Sequence, residues 1–332
     1  MATIYCFTST GNSLQAAKKI AEKINGKVEP MNWRSLTSDM DHAAQNSELI
    51  TSNSDPMTSV LDSAVLNSNP MTSNGGHVTS VPDSAVSNSN PITSNGDLVT
   101  SVPDSAVLNS NPITSNGGLI TSDDVIGFVF PVYFQGLPRM VERFIRELEI
   151  TNKEAYIFAV ATYGGMVHGI LGLVNKLLEP KGVHLKYGVN LKSVENYIPG
   201  YKVNDSEAFR LRISDNIGTI ADAVSKKQSN RIQRSTVLNK LIYRFYPDEN
   251  SDRFFSVLDK CNGCAICQKI CPAGNIEIAN GKPRFLHQCE HCLACLHNCP
   301  VCAIDWKQKT QNRERYRNAE ISIGDLISLN EE

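Results

Sequence analysis

Of the ten cysteines in the 332-residue chain, eight fall in two runs of identical spacing. The first is Cys261, Cys264, Cys267 and Cys271, followed by Pro272; the second is Cys289, Cys292, Cys295 and Cys299, followed by Pro300. Each reads C-x2-C-x2-C-x3-C-P, a spacing that holds iron–sulfur clusters. Two residues between cysteines let one tight turn aim three thiolates at three irons of a cubane, and the fourth corner lies too far round for the same loop. Zinc also binds paired C-x2-C units, but it has no use for a third cysteine and a following proline, twice over. Disulfides need an oxidising compartment, which nothing else in the chain suggests. The repeated full pattern favours two [4Fe–4S] clusters with these eight cysteines as ligands. Cys6 and Cys302 stand outside the runs, the first expected in a buried strand and the second packing near a cluster. His291 and His297 could set N–H groups near the sulfurs, or could lie on the surface.

A second chemical stretch lies near the start. Ala2 to Phe7 reads as a buried strand, and Leu14, Ala17, Ala21 and Ile24 share one face of a helix ending at Asn25-Gly26. Between them stand Thr8, Ser9, Thr10, Gly11, Asn12 and Ser13. A strand, a small hydroxyl-rich loop and a helix N-terminus together suit an anion, held by backbone N–H groups and hydroxyls. The loop has no lysine, so it is not a Walker A site, and it lacks G-x-G-x-x-G, so a dinucleotide is not expected. An uncharged loop suits the terminal phosphate of a mononucleotide; the bland alternative is a strand–turn–helix capped by Ser or Thr.

Thr8–Ser13 resembles the FMN phosphate loop of flavodoxins. With the cysteine runs, which follow the bacterial ferredoxin pattern, the chain resembles the flavodoxin–ferredoxin fusion proteins of anaerobic bacteria and archaea. The resemblance covers residues 1–32, about 123–200, and 256–306. It implies FMN on the Thr8–Ser13 loop, and the crossed ligation of two-cluster ferredoxins, in which each fourth cysteine serves the other cluster. One set is then Cys261, Cys264, Cys267 and Cys299, and the other Cys289, Cys292, Cys295 and Cys271. It also implies that Pro131, Val132, Tyr133 and Gly136, and Thr162, Tyr163, Gly164 and Gly165, border the flavin ring. Tyr133 and Tyr163 would stack on it, and the glycines would let backbone approach its edge; either tyrosine could instead simply pack with its hydroxyl in water.

The elements that must position these residues follow from periodicity. Val28–Met31, Asp124–Phe130, Ala155–Ala161 and Val183–Leu191 read as strands. Helical faces run through Met140–Leu148, about Met166–Leu178 and Phe209–Val224. Alternating strands and helices predict an α/β domain over 1–225, a flavodoxin-like doubly wound parallel sheet with ligand loops at the carboxyl ends of its strands. A small α+β two-cluster domain is expected over 251–310, with an Asn280-Gly281 hairpin between the runs. Residues 46–122 repeat with a period of 21 (Asn67-Ser-Asn-Pro recurs at Asn88 and Asn109) and carry few large apolar residues. They read as a disordered insertion rather than a solenoid. A basic amphipathic linker helix is expected over 226–250, with Lys226, Lys227, Arg231, Arg234, Lys240 and Arg244 and no acid before 247. It would pack its apolar face on a neighbouring domain or, less favoured, touch an anionic membrane. Residues 311–332 read as a tail.

The net charge of −2 offers no general attraction to nucleic acid. The start lacks the basic region of a signal peptide, and no run is long enough to span a membrane; a soluble, cytoplasmic protein is expected. Its function is read as electron transfer between FMN and two [4Fe–4S] clusters, with redox partner proteins as donor and acceptor. The alternatives are a flavin-dependent reductase fed by the clusters and an iron–sulfur sensor.

Overall fold

A computed structural model describes residues 1–32 and 119–331. The 46–122 repeats lie outside the described residues except for their last four positions, and there Ile120–Thr121 form a short strand rather than disordered chain.

The first part of the chain folds as β1 (Ala2–Cys6), α1 (Asn12–Ile24), β2 (Lys27–Pro30), β3 (Ile120–Thr121), β4 (Val125–Pro131), α2 (Arg139–Glu147), β5 (Glu149–Ile150), β6 (Tyr156–Tyr163), α3 (Ile170–Leu178), β7 (Tyr187–Lys192) and α4 (Glu207–Ser225). Five strands form one parallel sheet in the order β2-β1-β4-β6-β7, and β3 pairs with β5 beside it. Taken by appearance within the main sheet this is the order 2-1-3-4-5 of the flavodoxin-like doubly wound fold. Ile126 to Phe130 are all buried, with Phe158 filling the space beside Gly127, as expected of a central strand covered on both faces. On one face Met140, Val141 and Phe144 of α2 join Ile170 and Val174 of α3. On the other, Leu14, Ala17 and Ile20 of α1 meet Ile213 and Ile217 of α4.

The second part contains α5 (Val237–Tyr243), β8 (Phe255–Val257), α6 (Ile266–Lys269), β9 (Ile276–Ala279), β10 (Lys282–Phe285), α7 (Ala294–His297), β11 (Ile304–Trp306) and α8 (Ile323–Glu331). Its cysteine region has two matching halves. β8 pairs antiparallel with β11, and β9 with β10 across the Asn280-Gly281 turn. In each half a left-handed residue, Ala265 or Leu293, opens a one-turn helix carrying the third cysteine. In each, a backbone N–H four residues on, Asn275 or Ala303, donates to the fourth cysteine's sulfur at 3.3 and 3.2 Å.

Several sequence expectations need correction. The helix expected from Met166 starts at Ile170, because Gly169 takes a left-handed conformation at its N-cap. The strand expected from Val183 starts at Tyr187, with Val183 and Leu185 buried in the approach. The 226–250 segment is not one helix. Asn230 runs flat against β7, its amide exchanging hydrogen bonds with Gly188 at 2.9 and 2.8 Å, and only Val237–Tyr243 is α-helical. Nor does its apolar side pack wholly on the protein, since Val237, Leu241 and Phe245 stand in solvent.

The 311–332 segment is not a tail. Asn318 N–H donates to the Thr10 carbonyl at 2.8 Å, Tyr316 OH donates to Asn12 Oδ1 at 2.7 Å, and Asn330 reaches the Ile270 carbonyl at 3.1 Å. Ile321 covers Gly11, where a Cβ would lie 2.8 Å from its own. This strap bridges the cysteine region and α1, and Ile270, Ala294, Tyr316 and Ile321 belong to the same buried cluster as Leu14 and Val160. The described residues therefore pack as one compact unit.

Ile321 is 3% exposed. Truncating it to Ala should cost about 2–5 kcal/mol by removing buried methylenes and leaving a cavity over Gly11. Urea unfolding checks this, and a loss below ~1 kcal/mol would show that the strap is not part of the core.

Candidate functional site

At the carboxyl edge of the parallel sheet lies an open cavity of about 260 Å³. Four loops build it. Thr8 to Ser13 follow β1, Pro131 to Gln135 follow β4, Thr162 to Met166 end β6, and Ser193 to Tyr201 follow β7. From the cysteine region His291, Cys292 and Leu293 complete the wall, and Ile242 of α5 closes one side.

The Thr8–Ser13 loop is buried and held from all sides. Gly11 has φ 97°, and its N–H donates to Thr8 Oγ1 at 3.2 Å. Ser13 Oγ and Thr162 Oγ1 share a hydrogen bond of 2.9 Å, and Asn196 Nδ2 donates to Thr10 Oγ1 at 2.7 Å. Among the described residues the backbone N–H groups of Ser9, Thr10, Asn12 and Ser13 find no protein acceptor. They form a fixed nest of donors at the start of α1, complementary to an anion.

The cavity walls are aromatic. Tyr163 lies on it with Lys192 Nζ 5.0 Å from its ring centre, and the same ammonium reaches the Gly164 and Gly165 carbonyls. Tyr133 borders the cavity from deeper in: burial first, then the neighbouring Cys292 sulfur, pushes its hydroxyl pKa well up. Phe134 stacks on Tyr246 at 5.5 Å and meets Tyr197 edge-on at 5.5 Å. Phe134 and Gln135 both have positive φ, 48° and 58°, strain of the kind that collects at binding sites. Gly136 lines no wall; Tyr243 covers it so closely that a Cβ would lie 2.0 Å from the ring. Gly164 is needed for a similar reason, since a Cβ there would meet Glu195 at 2.6 Å. The sequence reading missed Phe134, Glu195, Tyr197 and Tyr201. The rule that a parallel sheet binds ligand at every carboxyl-end loop would have pointed to the fourth loop after β7.

The eight cysteines gather in two groups that cross between the runs. Cys261, Cys264, Cys267 and Cys299 line one small recess, with Cys264 exposed at the surface. Cys271, Cys289, Cys292 and Cys295 lie close enough to act electrostatically on one another. Burial pushes the Cys292 and Cys295 thiols well up and raises Cys267 to about 12. Buried thiols without nearby cations favour the neutral form, and a bound cation would reverse this. Among the described residues no three His, Cys, Asp or Glu side chains lie close enough to hold a single metal ion. Neither histidine ring serves a sulfur. His297 is fixed as a neutral imidazole, with Nε2–H donating to the Asn196 carbonyl at 2.8 Å and Nδ1 accepting from Tyr316 N–H at 3.1 Å. Burial lowers its pKa to about 4. The His291 ring lies between Tyr197 OH and Ser251 Oγ, each at 3.4 Å; its backbone N–H, not its ring, donates to Cys289 Sγ at 3.2 Å.

The cysteine region is anchored to the sheet beside this cavity. Glu290, 7% exposed, accepts from Met140 N–H at 3.0 Å at the start of α2 and from Tyr246 OH at 2.9 Å. Arg139 lies 3.8 Å from the same carboxylate and donates to the Cys289 carbonyl at 2.6 Å and the Pro247 carbonyl at 2.7 Å. Asn298 donates to the Ser9 carbonyl at 3.3 Å, tying the second run to the anion loop.

No family model and no curated protein matches the chain. A solved structure from Bacteroides uniformis, described as a candidate flavoprotein, is similar at 17% identity and a TM-score of 0.26, covering 58% of this chain and 89% of that one. A TM-score that low carries no argument for this chain. No helix among the described residues is long and apolar enough to cross a membrane.

Arg139→Met removes the cation from a buried carboxylate and should lower stability by roughly 3 kcal/mol, whereas Arg139→Met with Glu290→Gln should recover part of that loss. Denaturant titration of the single and double variants checks the pair; an additive double variant would show that the two side chains do not act together.

Proposed function

We propose that the chain transfers electrons between FMN and two [4Fe–4S] clusters, in the cytoplasm, with residues 1–225 as the flavin domain and 251–310 as a two-cluster ferredoxin domain. One observation carries the reading: Cys292 and the Thr8–Ser13 loop line the same cavity. The fit of the residues supports both groups. Four unpartnered N–H donors, the four hydroxyls of Thr8, Ser9, Thr10 and Ser13, and no charged side chain in the loop suit a phosphate monoester, and the aromatic walls suit a flat ring. For the clusters, each set of four cysteines comes from both runs, as crossed ligation requires. FMN takes up two electrons and releases them singly, and each cluster moves one at a time.

The chain's own residues would do three things. The Thr8–Ser13 loop anchors the phosphate, Phe134, Tyr163 and Tyr197 exclude water from the ring's surroundings, and Cys292 brings its cluster to the cavity wall. That orders the centres. A cluster held by Cys271, Cys289, Cys292 and Cys295 would be the inner one, beside the cavity, and one held by Cys261, Cys264, Cys267 and Cys299 would be the outer one, with Cys264 exposed.

A second reading, a flavin-dependent reductase of a small substrate, is favoured by the Glu195 carboxylate on the cavity wall. It differs in requiring turnover that Glu195→Gln slows, with carrier-dependent electron transfer unchanged.

Anaerobically purified protein should contain one FMN and about eight irons per chain. Zinc in place of iron after anaerobic reconstitution would sink the reading, and reversible low-potential reduction without loss of the clusters would argue against a sensor. Cys271→Ser should damage the inner cluster and slow flavin reduction through the clusters, because serine oxygen is a harder ligand than thiolate. Cys299→Ser should damage the outer cluster instead. EPR on Cys271→Ser paired with Cys289→Ser, or with Cys261→Ser, separates the cases: harm to one cluster in the first pair and both in the second is expected, and the reverse would mean that each run closes on itself.

A further inference from the structure

Large apolar side chains standing in solvent are gathered around the cavity mouth. Met166 and Tyr201, 68% and 59% exposed, are part of its lining. Helix α5 lies across the rim: Asn239 donates to the Gln135 and His168 carbonyls at 2.8 and 2.6 Å, and Ile242 faces the cavity. Its outer face carries Val237 and Leu241, 83% and 55% exposed, in line with Phe245 at 74%. Phe245 continues into a second, open groove of about 340 Å³ whose wall, Phe134 and Tyr197, is also the wall of the cavity. A lysine, Lys307, lies across this groove's aromatic floor, 4.2 Å from the Phe254 ring centre. Such a concentration of exposed apolar surface marks a contact site.

Its charge selects the occupant. Lys240 in α5 and Arg244 just after it flank the apolar row, and the groove is lined by Arg253 and Lys307 against one acid, Asp248. A second copy of this chain would bring the same cations face to face, and like charges across an interface are costly. A membrane needs a continuous apolar ridge, whereas this patch is interrupted by a cavity and a groove, and α5 has only seven residues with its other side already buried. We propose that the patch docks an acidic electron-carrier protein, its carboxylates meeting Lys240, Arg244 and Lys307 and its apolar centre covering Leu241 and Phe245. The inference rests on the electron-transfer reading. In each encounter one electron leaves the carrier's reduced centre and enters this chain's centres; no bond forms or breaks. Docking there would bring the carrier's centre to the wall shared by the groove and the cavity.

The test uses the full chain, anaerobically purified, and an acidic bacterial two-[4Fe–4S] ferredoxin as probe. Two variants, Lys240→Glu/Arg244→Glu and Leu241→Ser/Phe245→Ser, alter only exposed side chains. Calorimetric titration with the oxidised probe should give an affinity that falls as salt is raised. Both variants should weaken it by roughly tenfold or more. Stopped-flow reduction by the reduced probe should slow in parallel, while reduction by dithionite is unchanged. Unchanged binding in both variants would overturn the proposal. So would wild-type sedimentation with phosphatidylglycerol vesicles that the variants lose while probe binding persists, or a wild-type dimer that the variants dissolve. Probe binding that depends on the patch in a protein without FMN would keep the docking site and reject the function proposed above. Full FMN and iron content with no dependence on the patch would reject the docking site alone.

Discussion

Everything near the cavity depends on one constraint: the loops at the carboxyl edge of the parallel sheet must be held in place around an open cavity. Strand ends there present unpaired backbone groups and the open first turn of α1. In this chain the covering is done by the cysteine region and the C-terminal strap. Asn298 takes the Ser9 carbonyl, Asn318 the Thr10 carbonyl, and Glu290 the Met140 N–H. These groups are polar and mostly buried, so each contact serves both sides of the junction, and losing one partner strands the other. The two halves fold as one body because side chains and backbone of one complete the backbone hydrogen bonding of the other.

That arrangement explains which parts of the site were legible from sequence. The cysteine runs and the Thr8–Ser13 loop are local patterns, and local spacing survives any packing of the rest. Strand positions were also legible, because central parallel strands read as continuous apolar runs. Illegible were contacts made at long range. Nothing near Phe134 in the sequence announces that Tyr197 and Tyr246 will flank it, or that it adopts a positive φ. Nor does the sequence announce that Tyr133, on the cavity wall beside Phe134, has its hydroxyl buried near Cys292.

The segments read as connectors were misjudged for a related reason. Residues 226–250 show helical spacing, yet Asn230 finds a better partner in the edge of β7 than in a helix of its own, and tertiary hydrogen bonding overrides propensity. Residues 311–332 carry no strong hydrophobic period before Ile323. Their docking depends on Tyr316, Asn318 and Ile321, single residues whose value is visible only when Asn12, Thr10 and Gly11 stand opposite.

The strap also sets an order of events. Synthesis proceeds from the N-terminus at about 5–20 residues per second, and domains close as their parts emerge. The Thr8–Ser13 loop is made first, but Asn318 and Ile321, which hold its outer side, are made after both cysteine runs. The loop's shell therefore stays incomplete until the last cysteine is already available to its partners. A nascent chain cannot close the shell of this loop before its cysteine region has been made, so completion of the two is coupled by chain order alone.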